Sequence, residues 1–129
     1  MKNKTAFLIM RTSIGIVFLL FGIGKLRNDV WAETIKTMDF FLKLPWGVNL
    51  SVLVIGIVEM ATGVSLIIGL FTRFFASLAA LQLLGIVILL KFEEIRDIGL
   101  LGAVVYMAFA KNDALSVDRF LTKQKETLK

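Results

Sequence analysis

The run from Leu50 to Phe71 reads LSVLVIGIVEMATGVSLIIGLF, and Glu59 is its only formal charge. A bilayer core takes about 20 apolar residues of helix to cross, so the run predicts a transmembrane helix with a carboxyl near mid-depth. Insertion scales put such a group at roughly 2.5–3.5 kcal/mol, which makes an intramembrane acid a functional hypothesis from the outset. Hydrocarbon cannot solvate a carboxylate, so Glu59 needs a partner to ionise and otherwise stays neutral. Gly56 and Gly63 flank it at minus three and plus four, which puts all three on one helix face with Thr62 beside them. A small-residue stripe carrying a carboxyl is expected to face other helices and not lipid.

The rest of the chain fits that environment. It has 129 residues, 57% of them hydrophobic, against about 45–50% in an ordinary soluble domain, and a mean hydropathy of +0.83. One domain, residues 1–129, is what this length supports. The net charge of +5 would suggest nucleic acid in a soluble protein. Here the cations cluster between apolar runs and in the tail, which points to a bilayer and not to nucleic acid. Cys and His are both absent. Thiol–disulfide chemistry and Cys- or His-ligated metal or haem are thereby excluded, no metal site is expected, and any redox role needs a diffusible cofactor or another subunit.

Four spans are predicted, at about 6–24, 50–71, 74–90 and 95–110, giving an all-α polytopic membrane protein built as a four-helix bundle. The last run is too short to cross untilted. Arg11, Gly15, Phe18, Gly22 and Lys25 recur at spacings of four and three along the first span, within about 40° of one line. Gly15 and Gly22 there, like Gly56 and Gly63 in the second span, are expected to permit close helix packing. Residues 29–43 carry Val30, Trp31, Thr34, Ile35, Met38, Phe41 and Leu42 at helical spacing. They predict an interfacial amphipathic helix, either a plain cap over the bundle or a substrate lid, ended by Pro45. Thr72 is the expected N-cap of the third span. Gln82, the one polar side chain at mid-depth in that span, is placed to bond either to Glu59 or to a backbone carbonyl. Residues 91–97 form a charged link, and 111–129 a polar basic tail holding a short surface helix. Lys and Arg are modestly more numerous on the side of the termini, so both termini are expected in the cytoplasm.

Helix side chains tilt toward the N-terminus, so Lys25 at the end of the first span leans into the membrane and Glu59 leans up toward it. Arg11 leans the other way, toward helix-end carbonyls or lipid phosphate. The geometry therefore favours Lys25 as the partner of Glu59, with Arg96 and Asp97 at the same level. The cluster reads either as a polar binding pocket floored by Glu59 or as an ion-pair network that fixes helix register.

Taken together, Arg11-x3-Gly15-x2-Phe18-x3-Gly22-x2-Lys25, Glu59-x3-Gly63, Gly69-Leu70-Phe71-Thr72-Arg73 and Arg96-Asp97-x-Gly99-x2-Gly102 resemble the DoxX/DoxD family of four-helix membrane proteins. The resemblance covers most of residues 6–110 and maps the family's polar positions onto Arg11, Lys25, Glu59, Arg73 and Asp97. It implies a membrane subunit of a quinone-linked oxidoreductase of the thiosulfate:quinone type, or of a membrane redox-stress complex. In that role quinone is the implied cofactor, Glu59 a proton carrier, and Lys25, Arg96, Asp97, Arg11 and Gln82 binding residues. Related architectures act as assembly or cargo factors, so a non-enzymatic scaffold, assembly factor or small-solute binder is the alternative. A prokaryotic cytoplasmic membrane and a homo-oligomer or partner redox subunit are the corresponding expectations of place and company.

Overall fold

The computed structural model describes residues 2–89, 95–110 and 116–128. Every regular element among them is a helix: α1 (Lys2–Leu26), α2 (Val30–Thr37), α3 (Asp39–Leu42), α4 (Val48–Ile68), α5 (Thr72–Leu89), α6 (Ile95–Phe109) and α7 (Val117–Thr127). Three of these are long and apolar enough to cross a membrane, over Asn3–Leu26, Val48–Ile68 and Thr72–Leu89. The fourth, α6, has 15 residues, which at 1.5 Å per residue is about 22 Å. The protein is an all-α membrane bundle of three long apolar helices and a shorter one. Most of the charged link at 91–97, and the first part of the tail, lie outside the described residues.

Burial departs from that of a water-soluble protein in two respects. Arg11, Glu59, Thr62 and Thr72 are among the most deeply buried side chains, while Ile9, Leu20, Leu81 and Phe109 are exposed. A bilayer explains both halves, since apolar groups lose nothing by facing lipid and polar groups must turn inward.

The bundle is two helix pairs, α1 against α4 and α5 against α6, with sparser contact between the pairs. Because lipid is as apolar as the core, packing distance decides which helices pair closely. In α1 and α4 two glycine pairs a heptad apart, Gly15/Gly63 and Gly22/Gly56, set that distance. A Cβ on Gly63 would sit 2.5 Å from the Leu19 nitrogen and 2.6 Å from the Gly15 carbonyl oxygen. One on Gly22 would sit 2.6 Å from the Gly56 carbonyl oxygen. Between the pairs, Phe18, Leu66, Ala79, Leu83, Val104 and Met107 form the core.

The segment between α1 and α4 differs from the single interfacial helix expected over 29–43. It breaks at Met38, which takes an extended conformation (φ −75°, ψ 125°) and separates α2 from α3. Two hydroxyls turn back onto the backbone just before the break: Thr34 Oγ1 donates to the Val30 carbonyl and Thr37 Oγ1 to that of Thr34, both at 2.8 Å. Such back-bonding competes with helix continuation. The inward face also differs: Ala32 and Ile35 are buried against Val52, while Val30 and Leu42, assigned to the apolar face, are exposed. Asp29 starts α2, its Oδ1 accepting from the Ala32 N–H at 3.0 Å, a standard N-cap arrangement.

A second correction falls at the α4–α5 turn. Gly69 ends α4 in the left-handed region (φ 74°), with its own N–H and that of Leu70 both donating to the Ser65 carbonyl at 2.9 Å. Thr72 does not cap α5. Its hydroxyl has no hydrogen-bond partner among the described residues. The carboxylate of Asp118, from α7, takes that role instead, accepting from the Phe71 N–H at 2.8 Å and the Thr72 N–H at 3.0 Å. A carboxylate with two oxygens and a full charge satisfies two orphan donors at a helix start, where a hydroxyl satisfies one.

Candidate functional site

Lys25 and Glu59 form a buried ion pair. The Lys25 ammonium donates to both carboxylate oxygens of Glu59, at 2.9 Å to Oε1 and 2.7 Å to Oε2. The two side chains are 5% and 2% exposed. Lys25 is the last-turn cation of α1, and its ammonium also lies 5.5 Å from the centroid of the Phe21 ring. Gly22 and Gly56 bring the backbones close at this level, and that approach lets the lysine stem reach down to the acid.

Three cavities meet at the pair. The first, of about 280 Å³, lies between the helix pairs and is lined by Phe18, Phe21, Leu83, Ile86 and Leu100 around Lys25, Glu59 and Asp97. A second, of about 360 Å³, lies beneath α2 and α3, with Met38 and Phe41 on one side and Gln82 and Glu59 on the other. The third, of about 400 Å³, sits at the loop end and is bordered by Asn28, Lys36, Asn49 and Lys25. Glu59 therefore forms part of the wall of two largely apolar chambers. Lys25 separates the first of them from a polar vestibule. An ionised carboxylate has about four acceptor sites and an ammonium three protons, so the pair retains hydrogen-bonding capacity toward whatever enters.

The remaining expected site residues divide by position. Asp97 lines the first cavity. Gln82 lines the second, but no hydrogen bond joins it to Glu59 among the described residues, and its Oε1 has no partner. Glu59 is engaged instead by Lys25, through both carboxylate oxygens. Thr62 is buried, and its hydroxyl likewise has no partner among the described residues, so it does not join the pair. The side chain of Arg96 lies outside what is described. Arg11 is buried at the opposite end of the bundle: a Cβ on Gly69 would fall on its guanidinium, at the α4 C-terminus. It therefore lies apart from the Lys25–Glu59 pair. Arg73 donates from Nε to the Ala108 carbonyl at 3.2 Å, tying α5 to the end of α6.

Sequence reasoning missed the vestibule residues Asn28, Lys36 and Asn49, and the cap Asp118. Lys36 donates to Asn28 Oδ1 at 3.1 Å and to Glu33 at 2.8 Å. These residues are brought together by the left-handed turn at Asn28 (φ 54°) that ends α1, and no local spacing announces it.

Helices that place a buried acid–base pair between apolar chambers define a small polytopic membrane protein with an intramembrane polar site. The DoxX family pattern matches residues 6–91. The chain belongs to the DoxX family. The match takes in Arg11, Lys25, Glu59, Arg73 and the four packing glycines, and it ends before Arg96 and Asp97. No curated protein and no solved structure matches the chain.

Proposed function

We propose that the protein is the membrane subunit of a quinone-linked oxidoreductase complex, with the cavity between the two helix pairs as the site for a quinone ring. The observation that carries this reading is the ion pair in the wall of a largely apolar cavity that Asp97 also borders. A flat amphipathic ring suits such a chamber, which supplies apolar contact over its faces and few polar groups at one edge. Quinone, when bound, supplies a two-electron, two-proton acceptor. The electrons come from a partner subunit, because this chain has neither Cys nor His.

The chain's own residues then have distinct tasks. The Lys25 ammonium donates a hydrogen bond to a carbonyl edge and stabilises charge developing there. Glu59 holds Lys25 in place and, as an acid buried in a water-poor site, takes up and passes on a proton. The vestibule bordered by Asn28, Lys36 and Asn49 reaches Lys25 from the loop end, which gives protons a polar route to the pair. Phe18 and Phe21 line the chamber with aromatic surface.

One observation favours the scaffold reading. Both oxygens of Glu59 are already engaged by Lys25, as a register-fixing pair requires. A titration with a short-chain benzoquinone separates the two, using wild type, Glu59→Gln and Leu100→Trp, each checked for equal folding. Leu100→Trp fills the chamber without touching the pair. Binding by wild type that weakens at least tenfold in both variants supports the quinone site. If no form binds while all three fold equally well, the quinone reading fails and the scaffold reading leads.

A further inference from the structure

The geometry points to a second site at the opposite end of the bundle, a pocket for the phosphate of an anionic phospholipid, built where α7 meets the start of α5. The pocket has a volume of about 330 Å³ and is bordered by Thr72, Arg73, Ser116, Asp118, Arg119 and Thr122. Thr72 is 2% exposed, yet its hydroxyl has no hydrogen-bond partner among the described residues. Buried hydroxyls are normally satisfied, so one left open in the wall of a cavity is a donor with a place for an acceptor in front of it.

The charges around it agree in sign. Asp118 is the only acid bordering the pocket among the described residues, and both of its oxygens already accept from the Phe71 and Thr72 N–H groups. Its charge is offset by the helix start it caps. Arg73 and Arg119 flank it, and the Nε–H of Arg73 is spent on the Ala108 carbonyl, which fixes its guanidinium at the rim. The Arg11 guanidinium packs under Gly69 just behind. A phosphate would bring to this corner an acceptor with several oxygens and a negative charge. Guanidinium and hydroxyl groups together recognise phosphate.

The orientation of α7 selects the source of that phosphate. Asp118, Arg119 and Thr122 lie on the helix face that borders the pocket. Val117, Phe120 and Leu121 fall on the opposite face at helical spacing and are exposed. Lys123 and Lys125 lie at its flanks. A short helix with an exposed apolar face and basic edges rests in the headgroup layer, at the depth of lipid phosphates. The pocket beneath it is open at that depth.

The test uses the purified full chain in an uncharged detergent. Bound lipid is counted by native mass spectrometry, and the melting temperature is read with added phosphatidylglycerol, diacylglycerol or inorganic phosphate. Phosphatidylglycerol should bind and raise the melting temperature, and diacylglycerol should not. Thr72→Val and Arg119→Gln should each weaken binding about tenfold, the scale of one charge-assisted hydrogen bond. Both should leave the lipid-free melting temperature unchanged, because the hydroxyl removed has no partner among the described residues and Arg119 is exposed. Stabilisation by inorganic phosphate alone, lost in both variants, upholds the phosphate pocket and assigns it a soluble source. Equal phosphatidylglycerol binding by wild type and Arg119→Gln, or no response to either phosphate compound, overturns the inference.

Discussion

Replacing Lys25 by Met tests the central pair most directly. At 2.7 Å and an effective dielectric of 20, the gross attraction between the two charges is about 6 kcal/mol. Desolvating the two ions opposes it by several kcal/mol each, so the net worth of the intact pair is small while the cost of breaking it is not. Lys25→Met leaves Glu59 at mid-depth, 2% exposed, without its cation, so the acid must either stay charged and unpaired or take up a proton, and the bundle should lose about 3–5 kcal/mol. Glu59→Gln should cost less, about 1–3 kcal/mol, because the lysine stem can turn its ammonium into the adjoining vestibule. The double variant should recover most of the loss and lie within about 2 kcal/mol of wild type, giving a large coupling energy in the cycle. Reversible unfolding in mixed micelles, titrated with a denaturing detergent, measures all four proteins on one scale. If the two single changes add to within about 0.5 kcal/mol, or Lys25→Met costs less than Glu59→Gln, the picture of a stranded carboxylate is wrong.

The remaining predictions use the same unfolding assay together with amide hydrogen exchange. Gly63→Ala places a methyl 2.5 Å from the Leu19 nitrogen and should cost about 1–3 kcal/mol through overpacking. Gly85→Ala, where a Cβ meets nothing within 4 Å, should be neutral or stabilising by up to about 1 kcal/mol, and the same loss at both sites would refute the close crossing. Asp29→Ala removes the cap of α2 and should cost about 1 kcal/mol, with faster exchange at the Ala32 amide. Asp118→Ala should free the amides of Phe71 and Thr72 and cost about 0.5–2 kcal/mol, whereas unchanged exchange at those two amides would remove α7 from the account of the α5 start.

What was legible in the sequence is what depends on periodicity along one helix. The apolar runs, the glycine lines of α1 and α4 and the direction in which Lys25 and Glu59 lean all follow from 100° per residue and the tilt of Cβ. The match of Lys25 with Glu59, and not Arg11, came from that tilt alone. What escaped was set by contacts between distant segments. Thr72 carries a good N-cap side chain, but Asp118, 46 residues away, occupies the donors first. The break at Met38 escaped for a different reason: it accompanies local hydroxyl-to-backbone bonds of Thr34 and Thr37, which apolar spacing does not record. The first cavity was invisible for a further reason, since it is made by the loose fit between two helix pairs and no residue pattern encodes a gap.

That gap bears on why the ion pair is there. The register of α1 against α4 is already determined by Gly15/Gly63 and Gly22/Gly56, where backbones touch and a one-residue slip would drive side chains into carbonyls. A charged pair added at the same interface gives little further specificity and brings the desolvation cost of two ions. Although Glu59 lies along α4 between the two glycine contacts, it borders two chambers, and Lys25 borders a polar vestibule. A purely structural pair would be best placed in the dry centre of the crossing, away from any cavity. Its location at the junction of apolar and polar space supports the proposed site, in which the pair exchanges protons with a membrane-borne ligand.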